Sequence, residues 1–326
     1  MTSSASCRYQ DSSGACCSAA AQEHGLCFWH DPEADKSGEH IKAQLESYAQ
    51  NGGLLRGLQL QNAQLAGINL VKYNSKQGYD MTGADLYRAN LNGAHLFNLQ
   101  LSHGSLMKAD LRNANLNHAD LSLSNLLGCK LDHCKCDSLR VGNQLLQEQW
   151  AEEANKQQDL EAMTDYYQQA EEIYRSLRKM TEAEGLFTTA GQFLRKELTM
   201  RRYQMPEYSY QRGISKLVDW VCGYGELPMR VVVTSMMIIL SCALIYFFTG
   251  IHFNGNIVAL NLDHSLEQNL IAFAECLYYS VVTFTTLGYG DFTPVGVSRV
   301  FAAIEAFSGS FIIALFVVVF VKKMTR

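Results

Sequence analysis

The sequence predicts a multidomain membrane protein, and three features of its 326 residues support that prediction. A repeat with a period of five residues runs over 54–139, apolar residues recur at helical spacing over 144–203, and two long uncharged stretches follow. Between residues 231 and 321, Arg299 is the one Lys or Arg. We therefore expect polar domains at the N-terminus and a membrane-embedded domain at the C-terminus.

The net charge limits the possible functions, and the cysteines indicate the cellular compartment. The formal net charge of -5 gives no reason to expect nucleic-acid binding. The ten cysteines are scattered rather than framed for disulfides, and the opening stretch MTSSASCRYQ lacks the apolar segment of a secretory signal. We expect the polar domains to lie in a reducing cytosol, with their thiols free or metal-bound.

The N-terminal segment contains a Cys/His cluster. Cys7, Cys17, Cys27 and His30 follow the spacing C-x9-C-x9-C-x2-H, and Cys16 is an alternative to Cys17. Three thiolates and one imidazole form a closed tetrahedral zinc site, and a segment too short for a core of its own needs such a staple. The spacing resembles that of short C-C-C-H zinc modules, so we expect a structural Zn²⁺. The alternative is a flexible tail with unused cysteines.

In the repeat, a central Leu or its substitute returns every fifth residue, with a small residue two positions before it. A period of five matches neither a helix nor a strand, and it suits a solenoid that places every fifth residue inward. The central positions are Leu60, Leu65, Leu70, Met81, Leu86, Leu91, Leu96, Leu101, Leu106, Leu111, Leu116, Leu121, Leu126, Leu131 and Cys136.

This pattern resembles the pentapeptide-repeat family, A(D/N)LXX. The resemblance implies a right-handed quadrilateral β-helix with four pentapeptides per coil. Leu70 and Met81 are eleven residues apart rather than ten, so we expect one inserted residue and a bulge at YNSKQGYD. We interpret the domain as a rigid scaffold or assembly surface. DNA mimicry, the alternative, needs an acidic face, whereas six Asp, no Glu and eight Lys plus Arg give 54–139 a net charge of +2.

Cysteines also cluster at the end of the repeat. Cys129, Cys134 and Cys136 lie near His133 and could suggest a second metal site. The first two fall on inward positions that take small residues, and the third takes a central Leu position. The pattern therefore favours core cysteines over ligands.

The segment after the repeat predicts an α-helical hairpin. The stretches YYQQAEEIYRSLRKM and GLFTTAGQFLRKELTMRR each place apolar residues on one side of a helix, and they meet at Gly185. The pair resembles a tetratricopeptide-like unit. One pair cannot bury its own apolar face, so we expect it to pack on the repeat, on the membrane domain or on a neighbouring subunit.

The two uncharged stretches, 231–248 and 300–321, are long enough to cross a bilayer. At about 1.5 Å per residue they reach about 27 and about 33 Å, against a hydrocarbon core of about 30 Å. The connecting loop, 249–267, has no Lys or Arg, so the positive-inside rule places both termini in the cytoplasm. The flanking basic residues are Arg212, Lys216, Arg230, Lys322, Lys323 and Arg326.

Between the two spans lies the stretch NLIAFAECLYYSVVTFTTLGYGDFTPVG. Its apolar beginning is too short for a third span with a return, and its end is irregular. Non-helical backbone at membrane depth is tolerated only where it is buried in protein or lines a water-filled path. We therefore predict a re-entrant pore helix, 269–285, followed by a filter strand.

The composition of this strand fits the chemistry of a potassium site. A dehydrating K⁺ ion exchanges water for protein oxygens, and backbone carbonyls supply them if successive ones point to one axis. That arrangement needs dihedrals that glycine adopts freely, and two glycines alternate here with bulky residues. The predicted K⁺-binding filter is Thr286, Leu287, Gly288, Tyr289 and Gly290.

The same tripeptide, Gly-Tyr-Gly, also occurs at 223–225. No Thr-Thr and no pore helix precede that copy, which leads through Pro228 directly into a span. We interpret it as an interfacial turn, with Trp220 and Tyr224 in the aromatic belt.

The order of span, re-entrant helix, Thr-Thr-Leu-Gly-Tyr-Gly-Asp and second span resembles the two-transmembrane potassium channels. With the repeat and the stretch YGELPMRV, the chain also resembles bacterial-type pentapeptide-repeat ion channels. The resemblance implies a tetrameric two-span pore. Many potassium channels carry Trp-Trp where this chain has Tyr278 and Tyr279, which we expect to support the filter together with Thr285 and Asp291.

Two residues of the second span stand out. Gly309 lies where such channels keep a hinge glycine, although a close-packing glycine is an alternative. Glu305 is an intramembrane acid that we expect to face protein, namely the pore helix, rather than lipid. Neither span repeats Arg or Lys every third residue, so the sequence predicts no voltage sensor.

The predicted function is passive, potassium-selective conduction by a homotetramer in a lipid bilayer, since one subunit supplies a quarter of each carbonyl ring. The alternatives are a less selective cation channel and a non-conducting membrane-anchored scaffold. No nucleophile elbow, phosphate loop or paired carboxylates indicate an enzyme. The sequence specifies neither a gating ligand or partner nor which membrane houses the protein. The expected domains are a zinc module (1–40), a linker (41–53), the β-helix (54–140), the helical connector (141–206) and the pore domain (207–326).

Overall fold

The computed structural model describes residues 6–11, 14–22 and 24–325. The chain divides into two compact units, Met1–Arg212 and Gly213–Arg326. The elements in chain order are α1 (Ile41–Gln50), α2 (Leu146–Lys156), α3 (Leu160–Ala183), α4 (Phe187–Tyr203), α5 (Tyr210–Cys222), α6 (Pro228–Thr249), β1 (Ile251–Phe253), β2 (Asn256–Val258), α7 (Leu266–Phe284), β3 (Phe292–Pro294) and α8 (Ser298–Met324).

The repeat of the first unit folds as stacked coils. Parallel backbone bridges join residues that lie one coil apart, such as Asp80 with Gln100. The Leu86 N–H donates to the Ser105 carbonyl across 2.7 Å in the same way. One coil therefore takes four five-residue repeats. The central positions from Leu60 to Cys136 are all buried, at most 6% exposed, because each contributes its side chain to the interior of the coils.

One coil is longer than the others. Asn69 bridges to His95, so this coil takes six residues more than the coil that joins residues 80 and 100. The expectation of a single inserted residue was wrong. It assumed one further inward position between Leu70 and Met81, whereas these two residues occupy consecutive inward positions. The extra residues lie in an exposed stretch, 72–77.

The segment 41–53, which we expected to be a linker, contains helix α1. Ile41, Leu45 and Ala49 recur every fourth residue along it and are buried. They belong to the same hydrophobic core as the repeat and the cysteines of the N-terminal segment. The helix thus buries apolar residues that an open solenoid end would leave exposed.

Three helices, rather than two, follow the repeat. The expected junction at Gly185 lies between α3 and α4, where this residue has φ +74°. The sequence analysis did not predict α2 as a separate helix. The buried face of α3, which includes Ile173 and Leu177, joins the core of the repeat. The Gln147 side chain of α2 donates to Asn125 of the repeat across 2.8 Å. Within this unit, the helices therefore pack on the coils.

In the second unit, α6 and α8 are each long and apolar enough to cross a membrane, with a mean hydropathy of 2.4. Pro228 occupies the first turn of α6, where its missing N–H costs no helical hydrogen bond. Gly250 ends the helix at φ +86°. The Ser298 hydroxyl donates to the Gly250 carbonyl at 2.7 Å, so the end of α6 is bonded to the beginning of α8.

Helix α7 lies between these two spans in sequence and packs against both. A capping box begins it, in which Ser265 and Gln268 bond each other's backbone N–H groups. A three-stranded antiparallel sheet, in the order β2-β1-β3, flanks the segment that follows α7. Phe253 of β1 stacks on Phe292 of β3 at 4.3 Å, and this contact anchors the end of that segment.

Helix α5, immediately before α6, was not predicted. It is amphipathic, and Ile214, Leu217 and Trp220 are exposed apolar side chains on it. The second Gly-Tyr-Gly follows it as a turn, in which Gly223 and Gly225 both have positive φ.

Candidate ion-conduction site and metal cluster

The segment 285–291 connects the end of α7 to β3. Its residues alternate between left-handed and other backbone conformations: Thr286, Gly288 and Gly290 have φ values of 58°, 56° and 81°. Such alternation turns successive carbonyls toward one side of a strand, and glycine adopts it at no steric cost. Gly288 and Gly290 thus both lie in the left-handed region that glycine favours. Thr286 pays the steric cost of a side chain in this region, and its hydroxyl donates to the Thr285 carbonyl at 2.7 Å.

The bulky residues of the segment have little contact with their own chain. Leu287 is 60% exposed and Tyr289 is 68% exposed. On the single chain, these two large side chains are therefore left uncovered.

The residues predicted to support the filter take three separate positions. The Tyr278 hydroxyl donates to Asp291 Oδ2 at 3.0 Å, and Asp291 Oδ1 accepts the Phe292 N–H at the same distance. This pair bridges α7 to the end of the segment. Tyr279 lies on the other side of α7, buried at 4.9 Å from the ring of Tyr246. Thr285 caps the C-terminal end of α7.

Gly309 lies against the end of α7. A Cβ added at this residue would collide with the backbone carbonyl of Phe284. This contact fits the close-packing alternative, in which the missing side chain lets two helices approach. It places the second span directly behind the start of the 285–291 segment.

Sequence reasoning did not identify the residues that form two polar contacts of the second unit. Glu305 faces protein, including α7, as expected, and its partners there include Tyr246 and Ser280. Lys322 forms an ion pair with Glu226. Each pair is separated by 25 residues or more along the chain, so no local pattern indicates it.

In the first unit, Cys7, Cys17, Cys27 and His30 come together as a buried cluster. Their ligand atoms all lie within 4.8 Å of one another. The Cys17 and Cys27 sulfurs are 3.8 Å apart, and the Cys27 sulfur lies 3.1 Å from His30 Nδ1. A tetrahedron with zinc–sulfur bonds of about 2.3 Å has edges of about 3.8 Å, so the donor set fits zinc. Cys16, the alternative ligand, is exposed and lies outside the cluster.

Backbone N–H and carbonyl groups contact the ligand atoms of this cluster. Burial raises the pKa of the Cys7 thiol, but the N–H groups of Tyr9 and Cys27 donate to its sulfur at 3.5 and 3.1 Å, and the net pKa is lowered. Burial raises the pKa of Cys27 to about 12, which a bound cation would offset. Burial also lowers the pKa of His30, and the Arg56 carbonyl lies 3.0 Å from its Nε2. A proton on Nε2 leaves Nδ1 as the ligand atom.

The repeat cysteines lie in the core, as predicted. Cys129 and Cys134 are buried and donate to the carbonyls of Leu106 and Leu111 at 2.6 and 2.8 Å. His133, by contrast, is exposed. These thiols therefore fill inward positions of the coils.

The comparisons with protein families agree with this division. Residues 233–326 match the family described as ion channel. Residues 105–135 match the family described as pentapeptide repeats. The chain therefore combines a C-terminal ion-channel domain with N-terminal pentapeptide repeats. The predicted resemblance is confirmed at that level.

Solved structures of pentapeptide repeat proteins are similar to part of the chain. HetL from Nostoc sp. strain PCC 7120 is 30% identical, over 25% of this chain and 37% of HetL, with a TM-score of 0.16. Rfr23 from Cyanothece 51142 is 23% identical, over 22% of this chain and 66% of that protein, with a TM-score of 0.15. The chain thus spans less than two thirds of either protein. No curated protein matches the chain.

Proposed function

We propose that the protein is a potassium-selective channel that conducts K⁺ passively across a membrane as a homotetramer. The observation that carries this proposal is the alternating backbone of 285–291, which directly follows α7 and lies between two helices of membrane-spanning length. In this proposal α7 is a re-entrant pore helix, and Thr286, Leu287, Gly288, Tyr289 and Gly290 form the filter.

The chemistry of conduction accounts for the segment's composition. Carbonyl oxygens from residues 286–290 replace the hydration shell of K⁺, and several adjacent weak sites let the ion leave as well as enter. One subunit provides a quarter of each ring of oxygens, so a closed fourfold assembly completes the site. Such an assembly also covers Leu287 and Tyr289, which are exposed on the single chain.

The charge distribution supports an orientation. Lys216 and Arg230 precede or begin α6, and Lys322 and Lys323 end α8. The positive-inside rule then places both termini in the cytoplasm. The spans carry no ladder of basic residues, so the channel has no voltage sensor of that kind.

The N-terminal domains form a cytoplasmic scaffold in this proposal. Residues 54–140 form a right-handed quadrilateral β-helix that stabilises assembly and does not mimic DNA, since the net charge of 54–139 is +2 rather than acidic. Residues 1–40 form a zinc module in which Cys7, Cys17, Cys27 and His30 hold one structural Zn²⁺. A closed site with four protein ligands leaves no open position for catalysis.

Reversal potentials of the purified protein in planar bilayers, with K⁺ on one side and Na⁺ on the other, test the function. A large potential of the sign that opposes K⁺ flow is the expected result. A potential near zero would indicate a less selective cation channel. Tetramers that insert and carry no current in either salt would identify a non-conducting scaffold, and both of these results contradict the proposal.

A further inference from the structure

Glu305 is a carboxyl group buried in the membrane-spanning part of the second unit. It lies in α8 and is 1% exposed. The one Lys or Arg between residues 231 and 321, Arg299, has its Nε bonded to the Pro294 carbonyl at 3.3 Å. An acid in this position faces a high cost unless its surroundings satisfy it, so its hydrogen bonds determine its state.

Three helices meet at this carboxyl. The Tyr246 hydroxyl of α6, which is fully buried, donates to Glu305 Oε2 at 2.5 Å. The Ser280 hydroxyl of α7 contacts the other oxygen, Oε1. The same Ser280 hydroxyl lies 2.9 Å from the Ile239 carbonyl of α6. Glu305 and its partners therefore join both spans to α7.

The number of protons decides the charge. The contacts Tyr246–Glu305, Cys242–Glu305, Ser280–Glu305 and Ser280–Ile239 are four hydrogen bonds, and each needs one proton. The two hydroxyls and the thiol have one proton each, and the Ile239 carbonyl has none. An ionised Glu305 leaves the set one proton short. A protonated Glu305 completes it, since Oε1–H donates to Ser280 while Ser280 donates to the carbonyl.

We propose that Glu305 is a protonated positioning residue of the conduction site. As a neutral acid it donates to Ser280, accepts from Tyr246 and fixes α7 between the two spans. It acts on the permeating ion through the backbone that α7 holds, not by contact. The proposal rests on the proposed function in one respect, that 285–291 is the filter.

The contacts along α8 show how this constraint reaches the filter. Ser280 and Phe284 lie one turn apart on α7, and Glu305 and Gly309 lie one turn apart on α8. Glu305 contacts Ser280, and Gly309 lies against the Phe284 carbonyl. Two contacts on consecutive turns fix both the rotation and the axial position of α7. Thr285, the next residue, begins the filter segment, so a shift of α7 would displace the carbonyls that follow.

The test compares Glu305→Gln with Glu305→Leu in the full-length protein. Glutamine reproduces the neutral pattern, because its oxygen accepts from Tyr246 and its amide donates to Ser280. We expect Glu305→Gln to keep the K⁺-to-Na⁺ permeability ratio of the wild type. Leucine fills a similar volume without a polar group and should lower the ratio about tenfold or more, since filter geometry tolerates little displacement.

Two results would overturn the inference: loss of selectivity in Glu305→Gln equal to that in Glu305→Leu, or wild-type selectivity in Glu305→Leu. If the leucine variant does not assemble, the infrared carbonyl stretch of a protonated carboxylic acid is measured instead. We expect it in the wild type and not in Glu305→Gln, and a wild type without it contradicts a neutral Glu305. This measurement does not depend on conduction. A wild type that is not K⁺-selective would instead reject the proposed function.

Discussion

Lys322 Nζ lies 2.5 Å from Glu226 Oε1, so the last turn of α8 is bonded to the turn between α5 and α6. Glu226 is the acid that follows the second Gly-Tyr-Gly, and its side chain is 7% exposed. Close by, Cys222, Val231 and Val319 form a small buried apolar cluster. The second Gly-Tyr-Gly thus belongs to a turn that contacts the end of α8, and its two glycines have the positive φ values of that turn.

We expect Lys322→Gln to lower the thermal stability of the protein. The change removes the Lys322 cation from the largely buried Glu226 carboxylate. Because Lys322 is about one-third exposed, the cost should fall between about 1 kcal/mol for an exposed pair and about 3 kcal/mol for a buried one. Thermal unfolding of the detergent-solubilised protein measures it. Lys323→Gln removes the same charge from the neighbouring exposed residue and serves as the control. Equal effects of the two changes would show that the ion pair contributes nothing specific.

A second prediction concerns the metal cluster. Cys17→Ser removes one of four buried donors, so zinc content should fall from about one per chain to well below that, with a loss of stability in the N-terminal unit. Cys16→Ser changes the adjacent, exposed thiol and should leave zinc content unchanged. Elemental analysis of both purified variants provides the measurement. A wild type with far less than one zinc per chain would contradict the assignment.

Treatment of the wild type with a strong zinc chelator extends this prediction. The cluster shares one hydrophobic core with α1 and the repeat. Removal of the metal should therefore lower the protection of α1 amides against hydrogen exchange, while amides of α6 and α8 should not change. If α1 keeps its full protection after the metal has left, the cluster does not stabilise that end of the repeat.

Parts of this architecture follow from the sequence, and the reasons for the exceptions are physical. The capping pair Ser265 and Gln268 sets the beginning of α7 at Leu266, three residues before the predicted start, and this signal is readable in the sequence. The insertion in the repeat could not be counted, because eleven residues fit either one long side or two sides with one extra residue. Helix α1 was missed because three apolar residues are a weak periodic signal.

The polar contacts of the second unit could not be predicted from the sequence, for a different reason. Glu226 and Lys322 are 96 residues apart, and Tyr246 and Glu305 are 59 apart. The sequence indicates that a buried acid needs a partner, but only the packing of three helices decides which hydroxyl reaches it. The two glycines therefore indicated the positive φ values within 285–291, whereas the sequence indicated the contacts that support this segment only in part.

A third prediction separates a hinge from a packing contact at Gly309. Gly309→Ala adds a methyl group that would meet the Phe284 carbonyl, so α8 should move away from α7 and the assembled protein should lose stability. Gly213→Ala is the control, because a Cβ there has open space and alanine favours a helix by about 0.5–1 kcal/mol over glycine. Thermal unfolding compares the two. If Gly309→Ala changes open probability and leaves stability unchanged, the residue acts as a hinge.

The last prediction uses the two Gly-Tyr-Gly copies as a matched pair. Gly288 and Gly223 both have a φ of 56°, so alanine at either position carries a similar backbone strain, on the order of 1 kcal/mol or more per subunit. At Gly288 the strain falls on the proposed filter in all four subunits, and carbonyls should turn off the axis. We expect Gly288→Ala to lose K⁺ selectivity or current. At Gly223 an added Cβ would meet the Leu227 side chain, at a turn that faces no ion in our proposal, so Gly223→Ala should keep the wild-type K⁺-to-Na⁺ permeability ratio. Reversal-potential measurements on both variants test which copy is the filter. Unchanged selectivity in Gly288→Ala would mean that the filter has been assigned to the wrong copy, and so would a loss of selectivity in Gly223→Ala alone.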